Sequence, residues 1–464
     1  MVVDESHESL MSNQQYRALS FAAVLILMWQ PVHARTWYVK PDGLGDAPTI
    51  QAAVDSARGG DVVLLASGTY SWTSQVPSGE SMVLMKPQVT LRGESGAEAT
   101  VIDAEMRGRG IRCTDAGDVW IEDLTVTRGF FDRLYPIPEG YGAGILSTGN
   151  SQPRISRCIL RDNVVIYGNL GGGVACLDQG ATITNCQFLT NVAGFGSIGA
   201  GIYIEGGRVS DCVFWKNRNV GDGALGAAME ELDSVIERCL FESNHCIGAA
   251  GVAGGAIMAW GGTIRECMFV GNEVSSEAFG RAQGGAIWCP RDVEISNCVF
   301  LQNRVRSIGY PGLGGAISSG LGGGVPTITN CTFLGNVATF LNPAGPGTPI
   351  GGLYLPNGGI VQSSIIAWSD GAPCQGPVTM SCTVLYGNSL GDAICGTDGG
   401  GNLVADPQFC ASDPIEMRDV RIRSNSPCAP SQTPSCGLIG AGEIGCEAVS
   451  VQQTTWGELK GLFR

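Results

Sequence analysis

Apolar and polar residues alternate along this chain over short runs, and each run ends at glycine, asparagine or aspartate. The stretch GGGVACLDQGATITNCQFLTNVAG (171–194) shows the pattern: Val174, Ile183 and Phe188 stand among small or polar neighbours with no helical spacing. Period-two runs bounded by turn residues predict short strands. The exception lies near the start. Ile50, Ala53, Val54 and Ala57 form one apolar helical face after Pro48 and Thr49, and Gly59-Gly60 ends it before a strand at DVVLL.

The runs repeat. A glycine motif recurs at GRGIRC (108–113), GAGILS (142–147), GGGVAC (171–176), GAGIYI (199–204), GAAMEE (226–231), GGAIMA (254–259), GGAIWC (284–289), GGAISS (314–319) and IGGLYL (350–355). A second motif such as ISNCVFLQN follows each copy 10 to 14 residues later. A period of roughly 28 to 34 residues means one supersecondary unit stacked on its neighbours. Strands recurring once per coil make an all-β parallel solenoid. A three-sided coil suits the repeat length, and about nine to twelve coils are expected, with the Ile50–Ala57 helix plugging the N-terminal end.

Stacking assigns jobs to the repeated letters. Phe188, Phe214, Phe241, Phe269, Phe300 and Phe333 form an interior ladder. Asn163, Asn191, Asn217, Asn244, Asn272, Asn303 and Asn336 fall at a bend, where asparagine tolerates the left-handed conformation and its amide can bond to the copies above and below. Cys158, Cys186, Cys212, Cys239, Cys267, Cys298 and Cys331 share a position that Leu124 and Ser364 hold in the outer copies. They are read as buried free thiols acting as small fillers, since parallel side chains on successive rungs give no tetrahedral metal site.

Composition supports turn-rich β structure, with 69 glycines and only 15% charged residues. Residues 11–34 carry Arg17, an apolar run too short to span a membrane, and Ala34 after Val32 and His33: a secretory signal cut after Ala34. The net charge is −15, and losing residues 1–34 removes only Asp4, Glu5, Glu8 and Arg17. An acidic secreted chain excludes nucleic acid as a partner. His245 is the one histidine left, so a Ser-His-Asp or Cys-His mechanism must use it, and a multi-histidine metal site is excluded.

These repeats resemble right-handed parallel β-helix proteins of the pectin-lyase-like superfamily, and the GGAI and FxxN pairing is similar to repeats of bacterial polymorphic outer-membrane proteins. The resemblance covers most of residues 36–445 and implies the fold. WYVKPDGLGDAPTIQAAVDSARGGDVVLLASGTY (37–70) and VTLRGESGAEATVID (89–103) are similar to the start of pectinesterases and pectate lyases. GNLVADPQF (401–409) and SPCAPSQTPSCGLIGAGEIGC (426–446) are similar to closing segments of secreted bacterial members. Cys410, Cys428, Cys436 and Cys446 allow three pairings, with at least one disulfide expected there, and spacing leaves the connectivity open among these and Cys374, Cys382 and Cys395. The organisation expected is a signal peptide (1–34), an N-terminal cap and first coils (35–110), β-helix repeats (111–390), cysteine-rich C-terminal coils and cap (391–448), and a linker with a short amphipathic tail (449–464).

The superfamily's catalytic sets are missing. No NTD, DD, GHG and RIK series and no DFIFG or GRPW stretch occurs, and VWIED (119–123) resembles pectate lyase VWIDH without its histidine, so Glu122 and Asp123 are read as structural. A candidate site is the outward face of the strand after each glycine motif, a column through Ala175, Tyr203, Glu230, Met258, Trp288 and Ser318, with Glu205 and Trp260 two residues on. Aromatic rings beside carboxylates suit sugars, so Tyr203, Glu205, Glu230, Trp260 and Trp288 are the ligand-binding candidates. Glu230 and Glu231 are the catalytic candidates. Alternation would bury Glu231, and a one-residue slip at GAAMEELD is expected to spare it that cost. No metal site or cofactor is expected, with calcium at GTDGGGN (396–402) the one candidate, although the ligand spacing there is undefined.

The functional expectation is a monomeric secreted or cell-surface scaffold that binds polysaccharide or a cell-surface glycan without catalysis. The alternative is a polysaccharide lyase or glycoside hydrolase. N-terminal sequencing of the exported protein should read from Arg35; a chain retaining residues 11–34 would remove the signal-peptide reading.

Overall fold

The computed structural model describes residues 34–132, 140–278, 280–320, 322–341 and 347–446. The signal segment through His33 and the tail at 449–464 lie outside them.

Every pairing between named strands is parallel, and strands join rung to rung into long sheets. One sheet has fourteen strands, from Thr36–Val39 to Thr397–Asp398; a second has thirteen, from Gly68–Ser71 to Leu403–Val404; a third has eleven, from Ser81–Leu84 to Ala372–Gln375. The chain is a parallel β-helix whose stack continues beyond the nine glycine-motif copies. A fourth sheet of eight strands, from Phe130–Phe131 to Val337–Phe340, departs from the three-sided expectation. The asparagine bend splits one side of each central coil into two strands, such as Gln187–Leu189 and Val192–Gly194.

The interior ladders follow the repeats. Phe188 to Phe333 stack face to face, with ring centroids 4.6 to 4.8 Å apart. The side amides form a chain of bonds through the core. Asn272 Oδ1 accepts from the Asn244 backbone N–H at 3.1 Å and from Asn244 Nδ2 at 2.9 Å, while its own Nδ2 donates to Phe241 O and Asn303 Oδ1, each at 2.9 Å. The left-handed residue of this bend is not the asparagine, as expected, but the one before it: Asp162, Thr190, Lys216, Ser243, Gly271, Gln302 and Gly335 all have φ between 52° and 60°. This geometry turns the amide inward, where its oxygen meets two donors from the preceding rung.

The cysteine column is buried and unpaired, yet it is more than filler. Cys267 Sγ accepts from Cys239 N at 3.5 Å and donates to Arg265 O at 3.2 Å. Ser364 Oγ repeats the arrangement with Cys331 N at 3.1 Å, so the position satisfies an inter-rung amide at the bend. The glycine pair has two separate causes. Gly284 sits at φ +63, and a Cβ on Gly285 would lie 2.0 Å from Gly315 O of the next rung.

Helix Ile50–Ser56 forms at the N-terminal end, its first turn capped by Thr49 Oγ1 accepting from Ala52 N at 3.1 Å. Ile50, Ala53, Val54 and Ala57 are all buried in the main core. At the other end the chain turns back along the outside. Phe409, Val420, Ile422, Cys428 and Ile439 pack on Val299, Leu301, Leu334, Ile365, Ala367 and Val384, outward residues of the thirteen-stranded sheet. Arg418 reaches Glu242 at 2.6 Å. Disulfides join Cys374–Cys395, Cys382–Cys436 and Cys410–Cys446. Of the three pairings open to Cys410, Cys428, Cys436 and Cys446, none is complete: Cys428 is a free thiol in the apolar layer, and Cys436 bonds outside the group to Cys382 of a coil.

Replacing Phe269 by Ala should cost about 3 to 5 kcal/mol through the cavity it leaves. Asn272→Ala should cost about 1 to 3 kcal/mol by orphaning the buried Asn244 N–H, and Cys267→Ala less than Phe269→Ala. Urea midpoints rank the three; an unchanged midpoint in Asn272→Ala would remove the energetic role of the amide chain.

Candidate functional site

The column read from the repeats exists in register: Ala175, Tyr203, Glu230, Met258, Trp288 and Ser318 are successive Cα partners. Its exposure differs from the expectation. Ala175, Tyr203, Glu230, Met258 and Ser318 are buried, and Trp288 is half-buried. Tyr203 lies in a second apolar layer with Tyr141, Leu146 and Ala175, against which Leu170, Leu177 and Leu232 pack. Residues outside the strand therefore cover much of the proposed sugar face.

Beneath that cover the polar atoms bond to one another. Tyr203 donates its hydroxyl to Glu205 Oε1 at 2.7 Å, and Trp260 Nε1 donates to Glu230 Oε1 at 2.9 Å. Glu230 Oε2 and Trp288 Nε1 are buried without a partner. Burial pushes the Glu230 carboxyl up to about 7, the Trp260 bond opposing and the Glu205 charge adding to the shift. The Trp260 and Trp288 rings meet edge to face, centroids 6.5 Å apart.

Trp260 carries the column to solvent. With Asp233, Gly261, Pro290, Arg291, Asp292, Gly322 and Gly323 it lines an open cleft of about 300 Å³. The Arg291 guanidinium lies 5.5 Å from the Trp260 ring centroid. The structure thus joins Trp260 to Glu230 and Trp288, while Tyr203 and Glu205 form a separate pair. Sequence reasoning missed Asp233, Arg291 and Asp292. The available signal was spacing: the cleft walls are turns between the two motifs, and the longest interval, from GGAISS to ITNCTFLGN, contains Gly322 and Gly323.

Glu231 corrects the expected slip. The strand stays in register, with Ile204, Glu231 and Ala259 as successive partners, and Glu231 is fully buried. The carboxyl is tolerated because Ser234 N donates to Oε2 at 2.9 Å; Oε1 has no partner. Burial pushes its pKa up to about 8, the Ser234 N–H opposing and Asp233 adding. Glu231 therefore sits in the interior as a neutral acid at neutral pH, on the opposite side of the strand from Glu230.

The VWIED carboxylates are occupied, Glu122 by Arg92 Nε at 2.7 Å and Asp123 by Arg157 Nε at 2.7 Å. At the calcium candidate, Asp398 Oδ1 accepts from Gly400 N and Asn402 Nδ2 at 2.8 and 2.6 Å. Among the described residues no three His, Cys, Asp or Glu groups converge as a metal site.

Residues 172–364 match the family model described as "Right handed beta helix region". The fold is a right-handed parallel β-helix. No curated protein matches the chain. Similar solved structures include the pectate lyase Pel9A, at 14% identity and a TM-score of 0.42 over 89% of this chain and 96% of that one. A mannuronic acid specific polysaccharide family 6 lyase from human gut microbiota matches at 10% identity and 0.38 over 80% and 83%. The PL6 family alginate lyase AlyGC matches at 14% and 0.42 over 90% and 59%. Likeness of this degree carries no chemistry over to this β-helix.

The raised Glu231 pKa makes stability pH-dependent. The folded state holds a proton that the unfolded chain releases near pH 4.5, so stability should fall as pH rises from about 4.5 to about 8. Glu231→Gln should flatten that fall and raise the melting temperature above pH 8. Parallel melting curves for the two proteins across the window would refute a buried neutral Glu231.

Proposed function

We propose that this β-helix is a secreted or cell-surface protein that binds polysaccharide at the Trp260 cleft without cleaving it. The observation that carries the reading is Trp260 itself, an indole fixed by its bond to Glu230 and flanked by the Arg291 guanidinium in an open cleft that also holds Asp233 and Asp292. A fixed ring offers a stacking surface for sugar C–H faces, and the charged groups offer partners for hydroxyls or carboxylates. Glu230 lies behind the ring and Glu231 inside the core, positions that support binding over bond cleavage. Export is supported by the three disulfides and the signal-like N-terminus. Among the described residues no helix is long and apolar enough to cross a membrane.

A second reading, polysaccharide lyase or glycoside hydrolase, draws on one observation: Glu230, with a pKa near 7, is one hydrogen bond from the cleft wall. The two separate in one experiment. The mature protein is incubated with a polysaccharide panel, with and without calcium, and retention, reducing ends and ultraviolet-absorbing unsaturated products are followed. Retention that weakens roughly 10-fold in Trp260→Ala, about 1.4 kcal/mol, with no product formed, is expected. Turnover abolished in Glu230→Gln would replace binding by catalysis, and retention unchanged in Trp260→Ala would remove the cleft.

A further inference from the structure

The tether of the Trp260 ring is itself ionisable. Among the described residues Trp260 Nε1 has one hydrogen-bond partner, Glu230 Oε1 at 2.9 Å. Trp288 meets the ring edge to face with its own Nε1 buried and unpartnered, and the Arg291 guanidinium lies over the ring at the cleft wall. The set of the indole in the cleft therefore depends on one carboxylate. A neutral amide acceptor would hold the ring at a lower cost of burial. The column instead supplies a carboxylate, the only one among Ala175, Tyr203, Glu230, Met258, Trp288 and Ser318, and leaves its second oxygen, Oε2, buried without a partner.

We propose that Glu230 gates the Trp260 cleft, its ionised carboxylate locking the indole for sugar stacking and its protonated form releasing the ring, so that glycan is held in neutral to alkaline surroundings and let go in acid ones. The gating rests on the reading of this cleft as a glycan site. Glu230 is a positioning residue, since it acts through the ring and touches no sugar.

The physical basis is the strength of one bond. An indole N–H donated to a carboxylate makes a charge-assisted bond, roughly twice as strong as one donated to a neutral acid. Burial disfavours the charged form and raises the Glu230 pKa to about 7, the Trp260 bond lowering it and the Glu205 charge raising it. The ionised fraction therefore grows as pH rises through about 7, and the lock tightens in the same direction. Few groups face the carboxyl. On the preceding rung Glu205 carries a like charge and accepts from Tyr203. The following rung presents Met258 and Trp260, and the next Trp288. Glu231 lies on the opposite side of the strand, and Asp233, Arg291 and Asp292 line the cleft beyond the ring. Because Glu230 is already buried, a sugar on the ring adds little desolvation. Binding that needs the locked ring then favours the ionised form, so sugar and proton oppose each other by the same factor.

The full mature protein is isotope-labelled at its indole nitrogens, and the Trp260 N–H resonance, assigned by its loss in Trp260→Phe, is followed from about pH 5.5 to about pH 8.5. Retention is measured in parallel on insoluble cellulose, chitin and mannan, whose own charge does not change over this range. The resonance should move with a midpoint near 7 in the wild-type chain and in Glu231→Gln, and stay still in Glu230→Gln. Wild-type retention should be about 5-fold weaker at the acid end, a dependence that Glu230→Gln lacks. A wild-type resonance that stays still, or one that titrates in Glu230→Gln, would overturn the gating. Equal retention at both ends of the range, lost in Trp260→Ala, would also overturn it and leave the glycan reading in place. A titrating resonance in a protein retained on none of the three polysaccharides would overturn the glycan reading and the gating with it.

Discussion

An amide oxygen that accepts two donors from the rung before it sets the register of the whole molecule. Asn163 through Asn336 repeat this bond pattern, and a slip of one residue in any coil would leave a buried N–H and a buried amide without partners. Because the asparagine register is held, the phenylalanine rings meet face to face within 5 Å and the thiols meet the amide below. The same constraint explains how Glu231 is kept in the core. Sliding one strand to expose it would misalign Met229 and Glu230 with Ile257 and Met258.

Features that repeat at one offset in every copy were legible in the sequence, because stacking turns an offset into a neighbour. The phenylalanine ladder, the buried asparagines, the capping helix face and the outward column from Ala175 to Ser318 all follow from this. What covers a face was not legible. Tyr203 and Glu230 are hidden by segments outside the strand, and the outer side of the thirteen-stranded sheet is hidden by the chain's own C-terminal segment. Such packing is decided by turn lengths and one long return that have no periodicity. The Cys382–Cys436 bond illustrates the limit: it joins a coil to a segment 54 residues later, and spacing within the C-terminal group does not reveal a partner outside it.

The candidate site uses a design that recurs along the rod. A strand of a stacked sheet presents alternate residues outward at a fixed rise per rung, so functional groups far apart in sequence acquire fixed relative positions with little local ordering cost. His245 and Ser275 are 30 residues apart in the chain and hydrogen-bonded in space, and Glu230 and Trp260 have the same separation. Precision of this kind comes from the backbone ladder, which leaves the turns free to vary in length and to shape the walls of the cleft.

The return of the C-terminal segment along the outside changes the mechanics of the solenoid. A pure stack couples only nearest neighbours, so its end coils can peel away one at a time. Here Arg418 grips Glu242, Ala441 N donates to Thr332 Oγ1 and Gly440 N donates to Ser363 O, so one short segment spans several rungs like a splint. Peeling the last coils first requires that splint to lift, which binds the fate of the terminal rungs to that of the middle of the rod.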